Sequence, residues 1–231
     1  MNLQKLTVTV GVGWAVFAGA ANAASLTTSG TWTPTAPGSG ISGGGTNQIS
    51  WGNPVDQEQS SYVFDGVNGS PTIQSLIDDV FLLGTFTHNN YVITGTTLEA
   101  ATLNVQFDLD SFSETFSFDF IHDETPNSIP CNPSGATICP DVVSFLDNGV
   151  SQQVINLGGI DYNLSLKGFS VEEGGPLVNE FVTEENQVNT ARLFAQLTEV
   201  EVESVPEPAS LLGLMAVGGM AMALKRKQQH A

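Results

Sequence analysis

The sequence predicts an all-β domain, an antiparallel β-sandwich of jelly-roll-like arrangement, on three observations. Apolar and polar residues alternate with a period of two over several runs. The runs are short and are separated by Gly, Pro, Asn and Asp. Helical periodicity is scarce between the two chain ends. A two-residue period sends alternate side chains to opposite faces, so each run buries one face only. Two sheets must then cover each other.

Each element rests on its own pattern. Phe112, Phe116, Phe118 and Phe120 alternate with polar residues. So do Ile160, Tyr162, Leu164 and Leu166, and again Ala191, Leu193, Ala195 and Leu197. Less regular β-rich runs cover 48–51, 62–64, 80–87, 103–109 and 142–146. One helical candidate, Thr72 to Val80, is opened by Pro71. The stretch 24–46 is rich in Ser, Thr, Gly and Pro, and reads as a flexible segment with at most an edge strand at Thr31–Thr33. No internal repeat and no Gly-rich phosphate loop is present.

The two ends are of another kind. Lys5 precedes an apolar run from Leu6 to Ala20, and Ala21-Asn22-Ala23 supplies small residues around a cleavage point. Residues 1–23 therefore read as a secretory signal peptide, handled by the Sec translocon and signal peptidase. At the other end stand Val205, Pro206, Glu207 and Pro208, then an uncharged stretch from Ala209 to Leu224, then Lys225, Arg226 and Lys227. The prolines hold an extended peptide. The apolar stretch suits a short transmembrane helix, and the basic cluster keeps the tail on the cytoplasmic side.

This tripartite end resembles the PEP-CTERM sorting signal of Gram-negative bacteria that make extracellular polysaccharide. The resemblance implies recognition and cleavage by an exosortase near the Pro-Glu-Pro. The expected organisation is a signal peptide over 1–23, the flexible segment over 24–46, a β-sandwich over 47–203, and the sorting signal over 205–227.

Charge narrows the partners. Of 24 Asp and Glu, 23 lie between Ala24 and Ser204, where only Lys167 and Arg192 are basic, a formal charge of −21. Nucleic acid is excluded, because its binding needs clustered Lys and Arg. The acidity reads as a solvated extracellular surface, with calcium as the one cofactor it could serve. No Asp-x-Asp-x-Asp-Gly loop occurs; the nearest oxygen-rich pairs are Asp108 with Asp110, and Asp123 with Glu124. Cys131 and Cys139, eight positions apart, read as a local disulfide in an exported protein.

Two histidines fall in the body, His88 and His122. Thr87, His88 and Asn90 stand where an apolar run ends, and the favoured reading is structural: side chains tying down a turn. The other reading makes His88 a metal ligand or general base. The His122-Asp123-Glu124 cluster reads as a polar loop cap, with cation binding or proton transfer as its alternative. Trp51 reads as a core residue beside Gly52, and Trp32 and Tyr91 as exposed aromatics able to stack on sugars.

Four stretches of the body resemble the THxN family of PEP-CTERM proteins, which is similar to choice-of-anchor surface domains. They are Ile49-Ser50-Trp51-Gly52, then Gly84 to Asn90 with the Thr-His-Asn-Asn that names the family, then Glu124 to Asn127 leading to the cysteines and Asp141, then Gly159 to Tyr162 with a late Phe181, Glu184 and Asn189. The resemblance covers about 47–203 and implies a secreted β-domain, with no catalytic residues to carry over. The expected function is an exported surface or matrix protein associated with exopolysaccharide and without enzymatic activity. The alternatives are a carbohydrate-binding module, calcium-assisted or not, and a secreted hydrolase using His88 or His122 with a carboxylate.

Overall fold

Where side chains alternate between apolar and polar, the backbone runs extended and pairs sideways. A computed structural model describes residues 23–56, 58–125, 139–146 and 149–200. The chain divides into two units, Met1–Glu199 and Val200–Ala231, and of the second only Val200 is described. The signal helix, the C-terminal helix with its basic tail, and Cys131 of the expected disulfide lie outside the described residues. Among the described residues no helix is long and apolar enough to cross a membrane.

The described residues form fourteen strands and one short helix. In chain order they are β1 (Leu26–Pro34), β2 (Gln48–Trp51), β3 (Asn53–Pro54), β4 (Ser60–Gly66), β5 (Asn68–Gly69), α1 (Ile73–Asp78), β6 (Phe81–Asn90), β7 (Ile93–Thr94), β8 (Ala100–Leu109), β9 (Phe112–Asp123), β10 (Asp141–Phe145), β11 (Val150–Leu157), β12 (Ile160–Ser170), β13 (Glu180–Thr183) and β14 (Gln187–Glu199). One six-stranded sheet has the order β13-β10-β9-β8-β1-β5 and a second the order β11-β12-β14-β6-β4-β2, while β3 and β7 pair by themselves. The pairings are antiparallel. The all-β sandwich predicted from the alternation is what forms, and the strand order, not readable from the pattern, is now explicit.

The core lies between the two sheets. Trp32 of β1 sits 5.6 Å from Phe120 in its own sheet, and 5.4 and 5.5 Å from Tyr62 and Phe86 in the other. Phe86 and Phe120 close the gap at 5.5 Å. Each such ring contributes about 1.5–3 kcal/mol by leaving water, and tilted or edge-on pairing adds geometric preference.

The helix is as short as its sequence implied. Thr72 caps it, its Oγ1 accepting from the Ser75 amide at 3.1 Å. Gln196 of β14 donates to the Ile77 carbonyl at 2.7 Å, and Leu76 is buried.

Three expectations need correction. The stretch 24–46 is not flexible throughout: Leu26–Pro34 is a nine-residue strand paired with β8 along its whole length, with β5 on its other side. Its inward positions are Leu26, Thr28, Gly30 and Trp32, two of them too small or polar for an apolar-periodicity reading to register. The same parity buries Trp32 completely, so it is no exposed sugar platform. The run at 80–87 starts at Phe81 and continues to Asn90, so Thr87, His88 and Asn90 stand within a strand rather than at a turn. Trp51 is a core residue as expected.

Gly30 and Gly84 make room for one ring. A Cβ at Gly84 would meet the Phe64 ring and, at 2.8 Å, the Asp65 carbonyl oxygen, while one at Gly30 would lie 2.5 Å from Phe64 Cδ1. Gly84→Ala is expected to destabilise the domain by about 1–3 kcal/mol, seen as a melting temperature several degrees lower. An unchanged melting temperature would mean that the Phe64 ring has space to retreat.

Candidate functional site

The inward faces of the strands carry apolar residues for most of their length and turn polar at one end. On β9 the inward series is Phe116, Phe118, Phe120, His122; on β6 it is Phe86, His88, Asn90. On β10 it is Asp141 and Val143, and on β13 Phe181 and Thr183. The register pairs Val143 with both His122 and Phe181, and Asp141 with Thr183. Sheet pairing therefore draws the polar ends of these strands together.

The imidazoles lie on an aromatic floor. His88 stacks on Trp51 at 5.6 Å, and His122 meets the same ring edge-on at 5.3 Å. Tyr62 stands 5.0 Å from His88 and 5.6 Å from His122, and the two imidazoles are 5.0 Å apart. His88, Asn90 and Asp141 are fully buried and His122 is 4% exposed.

Hydrogen bonds orient the polar atoms. His88 Nδ1 is 2.9 Å from Thr183 Oγ1, and Asn90 Nδ2 donates to the Thr183 carbonyl at 3.2 Å. Asp141 Oδ1 accepts from the Thr125 amide at 2.7 Å and from its hydroxyl at 3.1 Å. Glu124 Oε2 accepts from Thr97 Oγ1 at 2.9 Å. His122 Nε2 lies 3.5 Å from both Glu124 Oε2 and Asp141 Oδ2. Glu185 completes a carboxylate group with Glu124 and Asp141.

Crowded acids without a nearby cation leave an electrostatic mark. Burial holds the His88 imidazole well below its ordinary pKa, and His122 adds to the effect. Glu185 is pushed up to about 7, chiefly by burial and then by Asp141 and Glu124, against a hydrogen bond from Asn90. Burial and then the same two carboxylates raise the Tyr62 hydroxyl. In chemical terms this is a buried cluster of imidazole nitrogens and carboxylate oxygens, the donor set of a metal centre. One donor group is His88, His122 and Asp141, and another is Glu124, Asp141 and Glu185, the atoms of each lying within 4.8 Å of one another.

The residues singled out from sequence divide accordingly. His88, Asn90 and Glu124 join the site, while Thr87 and Asn89 point to the other face. There Thr87 Oγ1 meets Thr190 Oγ1 at 3.3 Å and Asn89 donates to Ser61 at 2.9 Å. His122 is not a loop cap but the last inward residue of β9, and Asp123 faces solvent. Asp108 and Asp110 lie at the opposite end of β9 from His122. Asp108 accepts from Gln106 and Ser113, and Asp110 from the Ser25 amide. Asp141, Thr183 and Glu185 were not recognised from sequence as part of a site. A signal for the histidines existed: both share the parity of the phenylalanines before them, Phe86 and Phe120.

Fold and site together define an all-β sandwich domain with a buried polar end. The C-terminus adds the address: residues 204–227 match the family model of the PEP-CTERM protein-sorting motif. The chain is thus an exosortase-targeted exported protein that passes through a membrane-anchored intermediate in a Gram-negative bacterium. No curated protein matches the chain significantly.

Glu185 is held in place by its turn. Asn189 accepts from the Glu184 amide and donates to the Glu184 carbonyl, both at 2.9 Å, and reaches the Gln187 carbonyl at 3.2 Å. Asn189→Ala is expected to cost about 1 kcal/mol and to speed hydrogen exchange at the Glu184 amide selectively. Unchanged exchange there would show that the turn holds Glu185 without this side chain.

Proposed function

We propose that this chain is an exported cell-surface or extracellular-matrix protein, released from its anchor by an exosortase and associated with exopolysaccharide, with a non-enzymatic β-sandwich. The single observation that carries the reading is the sorting motif at 204–227. The burial of both body histidines supports the absence of hydrolysis, since a general base must reach its substrate.

A groove of about 510 Å³ supports the polysaccharide part of the proposal. Ile73, Ile77, Phe112 and Leu157 give it an apolar floor, and Asp110 and Asn156 stand at its side. A sugar ring presents an apolar face and hydroxyl edges, so flat apolar contact flanked by amide and carboxylate groups suits it.

In cells with an intact exosortase, mass spectrometry of the mature protein is expected to find a C-terminus upstream of Ala209. In cells lacking the enzyme the chain should end at Ala231 in the membrane fraction. An Ala231 terminus in both strains would refute sorting. The purified chain is further expected to co-sediment with the host's own polysaccharide, and Ile73→Ala, at the exposed side of the groove, to weaken this with little change in melting temperature. Equal sedimentation of variant and parent would remove the groove from the account.

A further inference from the structure

Among the described residues eight buried side-chain polar atoms have no hydrogen-bond partner: Trp32 Nε1, Trp51 Nε1, Tyr62 Oη and Asn90 Oδ1, and at the end of the sandwich a set of four, His88 Nε2, both ring nitrogens of His122, and Asp141 Oδ2. Leaving such atoms unsatisfied costs about 1–3 kcal/mol each, and folded proteins seldom do so. The last four are not scattered. The His88, His122 and Asp141 donors share one small volume, with Glu124 and Glu185 next to it.

Two arrangements could satisfy them. In the first, a protonated His122 pairs with Asp141 and Glu124. Charge-assisted hydrogen bonds run about 2.7–2.9 Å, whereas both His122 separations are 3.5 Å and neither has hydrogen-bond geometry. That arrangement also leaves His88 Nε2 without a partner. In the second, the atoms surround an ion. Bonds of about 2.0–2.2 Å to a tetrahedral ion place neighbouring donors about 3.3–3.6 Å apart, and His122 Nε2 lies 3.5 Å from both Asp141 Oδ2 and Glu124 Oε2, with His88 within 4.8 Å of His122 and Asp141.

Charge favours the second arrangement. Only Lys167 and Arg192 are basic among the described residues, and Arg192 is paired with Glu173. A divalent ion would offset Asp141 and Glu124 together. The outer ring is also in place: Thr183 on His88 Nδ1, Thr125 on Asp141 Oδ1, and Thr97 on Glu124 Oε2. Such contacts fix tautomer and aim in metal sites.

We infer that His88, His122 and Asp141, with Glu124 beside them, form a buried site for a divalent transition ion, zinc first, that fastens the two sheets together. Imidazole donors select such ions over calcium and magnesium, which take oxygen. The ligands come from both sheets, His88 from one and His122 with Asp141 from the other. Their burial makes the site structural, because a catalytic ion keeps a position open.

The test uses the full chain, exported and purified without a histidine tag. Elemental analysis is expected to find a stoichiometric transition ion. Chelation should lower the melting temperature, and Zn²⁺ but not Ca²⁺ should restore it. Thr183→Val is expected to bind Zn²⁺ 10–100-fold more weakly. His122→Gln should carry no ion, and the melting temperature should then be indifferent to chelator. Asp108→Asn should behave as the parent. A chain with no stoichiometric ion and a melting temperature unmoved by chelator or by added Zn²⁺, Co²⁺ or Mn²⁺ overturns the inference. So does an ion retained by His122→Gln, or a response to Ca²⁺ alone. If His122→Gln does not fold, the parent's chelation response and Thr183→Val still decide. None of these readouts depends on polysaccharide binding.

Discussion

A buried polar atom must find a partner or destabilise the fold that buries it, and this constraint is concentrated at one end of the molecule. For most of its length the space between the sheets is filled by rings, with Trp32, Phe86 and Phe120 at the centre. Toward the end that holds His88 and His122 the same inward positions change from phenylalanine to imidazole, amide and carboxylate. Trp51 and Tyr62 separate the two regimes, Trp51 stacked on His88 and Tyr62 in edge contact with it. A wholly apolar continuation would be simpler for stability alone, since buried polar sets are at best neutral against well-packed hydrophobic residues. The polar end is therefore the part of the core whose composition stability does not explain.

The surface obeys a different rule. A body with 23 acids against two bases repels itself, yet its strands stay paired because cross-strand contacts and burial outweigh screened surface repulsion. Exposed acids such as Asp119 and Asp161 are engaged locally, by Thr102 and Asn156 respectively. The same excess of negative charge attracts cations to the molecule as a whole. A surface that gathers cations and an interior that presents nitrogen donors make different selections: the first is governed by charge, the second by ligand type.

The alternation was legible because apolar residues recur at the inward positions of β9, β12 and β14. It failed at β1, whose inward Thr28 and Gly30 do not announce a buried face. Thr28 is inside because its hydroxyl donates to the Leu83 carbonyl and accepts from the Val67 amide, and Gly30 because Phe64 leaves no room for a Cβ. Both are tertiary facts without a local signature. The site was half legible. His88 and His122 keep the parity of the strands they belong to, but polar residues at strand ends usually mark turns, and that prior concealed them. Asp141 and Glu185 join only through the register of β10 with β9 and β13 and through the turn held by Asn189, which one sequence does not reveal.

The spread of the donors along the chain decides what an ion there could do. His88, His122 and Asp141 belong to three strands, and His88 lies in the opposite sheet from the other two. In an unfolded exported chain these donors are separated by long flexible connections, and the entropy of closing such loops opposes their meeting. No preformed site exists before the sheets pair, so the free energy of binding goes to the assembled sandwich and not to the unfolded chain. A ligand set within one hairpin would have stabilised only that hairpin. Drawn from both sheets, it acts on the packing of one sheet against the other, which the hydrogen-bond ladders within each sheet do not secure.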